Sequence, residues 1–234
     1  MAAVSIFMVV RKLYRTYLAF TVYIVFHLTV TAGLFYFHGW DRTASGAKAY
    51  WVLYWAGQLL EGIAALLVLA ELYFQLFRQY EGLQRLARAM FRWVAAIMFL
   101  VAAAAAISLR ANSDWMTQMA VVSGTTTMIL LCGLLLFLFT LSSYFNLGWH
   151  HFAVGFAVGF AVHIPLMLMA FLAVAEHGYA LVPQANLIIR SGFAVALLVW
   201  LGYLAIPQRQ ALASANMPSH NLAHWNQALL HYMR

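Results

Sequence analysis

Three ionisable side chains stand in stretches that are otherwise apolar. His27 lies in "VYIVFHLTV", Glu61 in "GQLLEGIAALL" and His163 in "FAVGFAVGFAVHIP". Gln58 sits one helical turn before Glu61 and shares its face. An ionisable group at a bilayer centre costs about 3 kcal/mol on insertion scales, and it normally faces a partner or a cavity. Three chemistries fit this set. In the first, Glu61 is protonated, the histidines are neutral, and their hydrogen bonds only fix which helix faces which. In the second, His27, Glu61, His163 and Gln58 line a pathway for a proton, an ion or a ligand. In the third, His27 and His163 hold a metal: haem iron axially, or a divalent ion with Glu61 as a further ligand. Sharing one site would let the imidazoles and the carboxyl satisfy each other, because neither His nor Glu reaches an interface from the midplane.

The histidine at 163 ends a repeat. FAVG is written three times from Phe152, with histidine in place of the third glycine. Residues four apart stack on one helix face, so Gly155 and Gly159 form a flat strip continued by His151 and His163. Such small-xxx-small strips bring membrane helices close, and a flat cofactor would also fit one. Pro165 leaves the carbonyl of Ala161 without its helical donor and predicts a kink there.

These side chains need helices to carry them. The chain has 234 residues, 65% hydrophobic and 8% charged, with mean hydropathy +0.84. Soluble domains carry about 25% charged residues. A chain this poor in charge needs lipid to cover it, so the expected fold is an all-α polytopic transmembrane bundle. Six stretches are long enough to span: Arg15–His38, Ala49–Phe77, Ala89–Leu109, Thr117–Tyr144, Trp149–Ala175 and Asn186–Ile206. Residues 1–14 are too short to span and read as an interfacial or partial helix. Short loops make sequential helices antiparallel neighbours. Trp40, Trp51, Trp93, Trp115 and Trp149 fall near span ends, as an aromatic belt does. On this layout His27, Glu61 and His163 lie at about one depth, with the hydroxyls of Ser123–Thr127 slightly to the outer side. Arg190 and Glu71 lie nearer the span ends and read as interfacial.

The net charge of +7 does not point to nucleic acid, because the basic residues cluster at span ends. Arg11, Lys12, Arg15, Arg78, Arg85, Arg88, Arg92, Arg209 and Arg234 fall on one side; Arg42, Lys48 and Arg110 fall on the other. The positive-inside rule then places both termini in the cytoplasm, in a membrane expected to be the bacterial cytoplasmic one. Residues 78–92 read as an amphipathic loop helix, with Leu83, Leu86, Met90 and Trp93 on one stripe and Arg85, Arg88 and Arg92 among lipid headgroups. Residues 207–234 form a tail with a helix start at Pro218–Ser219 and a solvated stripe of His220, His224 and His231. The single cysteine, Cys132, allows no disulfide within one chain.

The segments "YEGLQRLAR" at Tyr80–Arg88, "WHHFAVGFAVGF" at Trp149–Phe160 and "VWLGYL" at Val199–Leu204 resemble an uncharacterised family of bacterial multi-pass membrane proteins. The resemblance covers most of the chain and implies a helical membrane fold of about seven spans, with Met1 falling inside the first. It implies no activity. Walker, dinucleotide-binding, GxSxG and HExxH patterns are missing, so no residue is assigned as catalytic. The expectation is an integral membrane subunit or receptor-like module that works by binding. A proton, ion or small-solute transporter is the second reading, and a haem or metal protein the third. Expected partners are membrane lipids and other membrane chains or further copies of this one.

Overall fold

A computed structural model describes residues 1–38, 44–78, 81–108, 115–144, 149–177 and 181–206. Seven α-helices account for nearly all of them: α1 Ala2–Val10, α2 Leu18–His38, α3 Ala44–Leu76, α4 Glu81–Ser108, α5 Trp115–Tyr144, α6 His151–His177 and α7 Val182–Ala205. The protein is an all-α bundle. Five helices hold stretches long and apolar enough to cross a membrane: Leu18–Tyr36, Ala56–Leu76, Val122–Tyr144, His151–His177 and Pro183–Ala205. The remaining expected span, Ala89–Leu109, lies on α4, and Leu109 falls outside the described residues. The tail 207–234, with its histidine stripe, also falls outside them, as do Trp40, Arg42 and Arg110.

Apolar surface points both ways, as lipid-facing helices require. Phe35, Leu136 and Leu198 are exposed, while Phe20, Phe156 and Trp200 are fully buried. The interior is built from rings. No described Cα of α2 comes within 8 Å of one in α6 or α7. Aromatic side chains fill that gap: Phe20 stacks on Phe156 with centroids 3.8 Å apart, and its ring meets Trp200 edge-on at 5.1 Å. Tyr23 meets Phe160 at 5.3 Å. Large rings keep contact across a spacing that aliphatic side chains would leave open.

The short N-terminal helix folds back onto the bundle. Its nine residues rise about 14 Å, less than half a hydrocarbon core. Lys12 adopts a left-handed conformation at φ 54°, and a 3-10 turn at Leu13–Arg15 leads into α2. The reversal buries Val4 and Met8 and packs α1 against α7 and α2. It also brings the Arg11 guanidinium to the C-terminus of α7, where Nη2 donates to the Ala205 carbonyl at 3.1 Å and Nη1 to the Ile206 carbonyl at 3.4 Å. Those carbonyls have no partner in their own helix, and a cation there also suits the helix dipole.

Two expectations about the layout change. The amphipathic segment 78–92 is not a separate loop helix: α4 begins at Glu81 and continues without a break to Ser108. Helix propensity favours continuity, since this stretch has neither glycine nor proline after Gly82 to interrupt it. Arg88, Arg92 and Trp93 are exposed on it; the side chain of Arg85 lies outside the described residues. Sequence neighbours are also not always the closest neighbours. The pairs α2–α3, α4–α5, α5–α6 and α6–α7 pack extensively, but α3 packs more on α5 than on α4. Gly62 makes that approach possible, since a Cβ there would come within 2.5 Å of Thr127 Cγ2.

Candidate functional site

Helices α2 and α3 run side by side and meet through polar side chains in an apolar span. His27 Nδ1 lies 2.5 Å from Glu61 Oε1. Tyr23, one turn before His27, donates its hydroxyl to the same oxygen at 3.3 Å. The spacing of Tyr23 and His27 puts both on the α3-facing side of α2. The His27–Glu61 contact has two chemically distinct forms. With Glu61 ionised, the imidazole donates; with Glu61 protonated, the carboxyl O–H donates to the imidazole. The hydrogen bond survives transfer of the proton, so either group can carry it.

Beside this pair lies a small cavity of about 20 Å³, lined by Tyr23, Gln58, Glu61, His163 and a surround that includes Phe160 and Met128. That volume matches one water molecule. Gln58 therefore joins Glu61 at the site, as its position one turn away suggested. His163 is 4% exposed, and its Nδ1 finds no hydrogen-bond partner among the described residues. His27 and Glu61 are more open, at 21% and 18%. A sealed imidazole with an unmet ring nitrogen thus shares a water-sized cavity with a carboxyl already paired elsewhere.

Phe193 on α7 completes the arrangement. Its ring stacks on His27 with centroids 4.5 Å apart and an interplanar angle of 18°. His163 meets the same ring edge-on at 5.1 Å. The two histidines are therefore neighbours of one phenyl ring, while Glu61 is the neighbour of both through a direct contact and through the cavity. The sequence offered no sign of Phe193, one of many phenylalanines. Tyr23 was readable as a hydroxyl one turn from His27, though no spacing argument singled it out.

The glycine strip is a helix-packing surface, and its partner is α7. A Cβ on Gly155 would lie 2.5 Å from Tyr203 Cβ, and one on Gly159 would lie within hard contact of the Trp200 indole. The flat body against the strip is the aromatic face of α7. Trp200 Nε1 then donates to the Phe156 carbonyl at 3.3 Å, which satisfies a buried indole. The strip closes α6 on α7, not α6 on α2 or α3. It serves the polar cluster indirectly, because α7 brings Phe193. His151 at the foot of the strip lies 4.9 Å from Tyr203, ring to ring. α6 remains one helix through Pro165.

The other polar residues of the spans differ in their partners. Thr126 and Thr127 return their hydroxyls to the carbonyls of Val122 and Ser123 in their own helix. Thr125 is fully buried, and its hydroxyl has no partner among the described residues. Arg190 is exposed on α7. Glu71 does more than sit at an interface: its carboxylate accepts the backbone N–H groups of Ala19 at 3.2 Å and Phe20 at 3.3 Å. Those N–H groups belong to the first turn of α2, which has no partner for them. Gln75 donates to the Thr16 carbonyl just before that turn. Acidic residues stabilise helix N-termini, but here the cap comes from another helix, so no local sequence pattern marks it.

Among the described residues no three His, Cys, Asp or Glu side chains are placed to share a metal ion. His27 gives one face to Phe193 and its Nδ1 to Glu61, and His163 reaches the carboxyl only across the cavity. With α7 filling the glycine strip, the room once assigned to a flat ring there is taken by Trp200 and Tyr203.

Fold and site together define an all-α membrane-type bundle with a carboxyl–imidazole cluster set among apolar side chains. Protein-family models, curated proteins and solved structures give no match to the chain.

Proposed function

We propose that the chain is a multi-pass membrane module that takes up and passes a proton at a cluster of Glu61, His27 and His163. The observation that carries this reading is the pairing of two contacts on one carboxyl: His27 Nδ1 directly at 2.5 Å, and His163 across a cavity of about 20 Å³. One water in that cavity would bridge Glu61 to the unmet Nδ1 of His163. A proton can then sit on any of three groups with small movements of heavy atoms. A site of this size suits a proton better than a bulky solute, which narrows the transporter reading to proton chemistry. The distribution of basic residues supports an orientation with both termini in the cytoplasm of a bacterial cell.

Infrared difference spectroscopy on protein in lipid bilayers tests the reading. A pH step is expected to produce a protonated-carboxyl band that vanishes in Glu61→Gln. A spectrum without such a band, or one unchanged by the substitution, would remove Glu61 as the proton-binding group. Proteoliposomes with an internal pH dye then separate local binding from passage. Flux abolished in both Glu61→Gln and His163→Gln identifies a pathway; an uptake signal without flux identifies a sensor.

A further inference from the structure

A second site lies away from the polar cluster, between α2 and α4. Both helices border α3, yet no described Cα of one comes within 8 Å of the other. The gap is a groove of about 600 Å³ that opens to the outside of the bundle. Its apolar length is walled by Leu18 and Val22 of α2 and floored by Ala64, Leu67 and Phe74 of α3. The uninterrupted apolar floor runs from Ala64 to Ala70, about 9 Å of helix, before Glu71 enters the lining. The floor is low because Ala64 and Ala70 project little from the helix. Toward the Arg78 end the lining turns polar, with Glu71, Gln75, Arg78 and Gln84.

We infer that this groove holds one anionic phospholipid, with an acyl chain along α3 and its phosphate at Arg78. The match is one of polarity along a length. A single-leaflet lipid is apolar and then anionic, and the groove is apolar at its Ala64 end and carries an exposed arginine at its Arg78 end. Arg78 is exposed at the mouth, and Arg88 and Arg92 are exposed further along the α4 start. Guanidinium groups bind phosphate through paired charge-assisted hydrogen bonds. Glu71 also lines the groove, with its carboxylate turned to the Ala19 and Phe20 N–H groups at the α2 N-terminus.

Native mass spectrometry tests this with the full chain released from vesicles of equal phosphatidylglycerol and phosphatidylcholine with the same acyl chains. The wild type is expected to retain one phosphatidylglycerol. Arg78→Gln should lower the preference for phosphatidylglycerol over phosphatidylcholine about tenfold, since one charge-assisted contact is removed. Ala70→Trp, which fills the floor, should abolish retention of either lipid. An unchanged preference in Arg78→Gln overturns the assignment, and that exposed substitution leaves the bundle intact whatever Ala70→Trp does to stability. Wild-type protein that leaves the vesicles without lipid, or as a dimer that Ala70→Trp makes monomeric, overturns it equally.

Discussion

Glu61 and Glu71 belong to the same helix and both clasp α2, but they do so with different partners. Glu71 accepts two backbone N–H groups at the first turn of α2. Backbone amides cannot give up their protons, so that contact has one form and its work is to hold a helix end. Glu61 meets an imidazole and a phenol, and a second imidazole lies across a water-sized cavity. Each of these partners can donate or accept, so the contact persists in more than one protonation state. The surroundings differ too. Glu71 opens to a groove near the basic end of the bundle, whereas Glu61 sits beside a small cavity and the rings of Phe160 and Phe193. A buried acid is therefore not a functional site by depth alone; the titratability of its partners decides.

The largest expected effect comes from Gly159→Leu. The added side chain collides with Trp200, and overpacking of this kind should cost about 3 kcal/mol. Because α7 carries Phe193, the cluster at Glu61 should lose its pH response, while hydrogen exchange at the Ala19 and Phe20 amides stays slow. Glu71→Ala should do the reverse. Removing a charged acceptor from two helix-end donors should cost about 2 kcal/mol in thermal or denaturant unfolding at neutral pH. The amides of Ala19 and Phe20 should then exchange fast, and the carboxyl band assigned to Glu61 should remain. If Glu71→Ala instead removes that band, the division of labour between the two acids fails. Tyr23→Phe should have the smallest effect on stability, about 1 kcal/mol for one lost hydrogen bond. It should nevertheless move the midpoint of the Glu61 band, which a purely structural tyrosine would not do.

Much of the bundle was legible because long apolar stretches follow simple rules. Long apolar stretches had to be helices, and their boundaries came out close to the expected ones for α2, α5 and α7. The merger of segment 78–92 into α4 was not legible, because an amphipathic stripe says which face meets water and not where a helix stops. For the polar cluster, depth counting brought His27, Glu61, Gln58 and His163 to one level, since each is rare in such a setting and rarity is visible in sequence. Phe193 and the role of the glycine strip were hidden for the opposite reason. Phenylalanine is common here, and a small-residue strip announces close packing without naming the partner. The capping role of Glu71 was hidden because its donors are backbone groups on another helix.

The most direct measurement of the central claim is nitrogen NMR of histidine-labelled protein in bilayers, titrated with pH and compared across wild type, Glu61→Gln and Glu71→Gln. If Glu61 shares a proton with both imidazoles, the signals of His27 and His163 should titrate as a coupled pair in the wild type. Both midpoints should move in Glu61→Gln and stay in place in Glu71→Gln. Identical titrations of His27 and His163 in wild type and Glu61→Gln would contradict the shared proton and leave the cluster as helix packing alone.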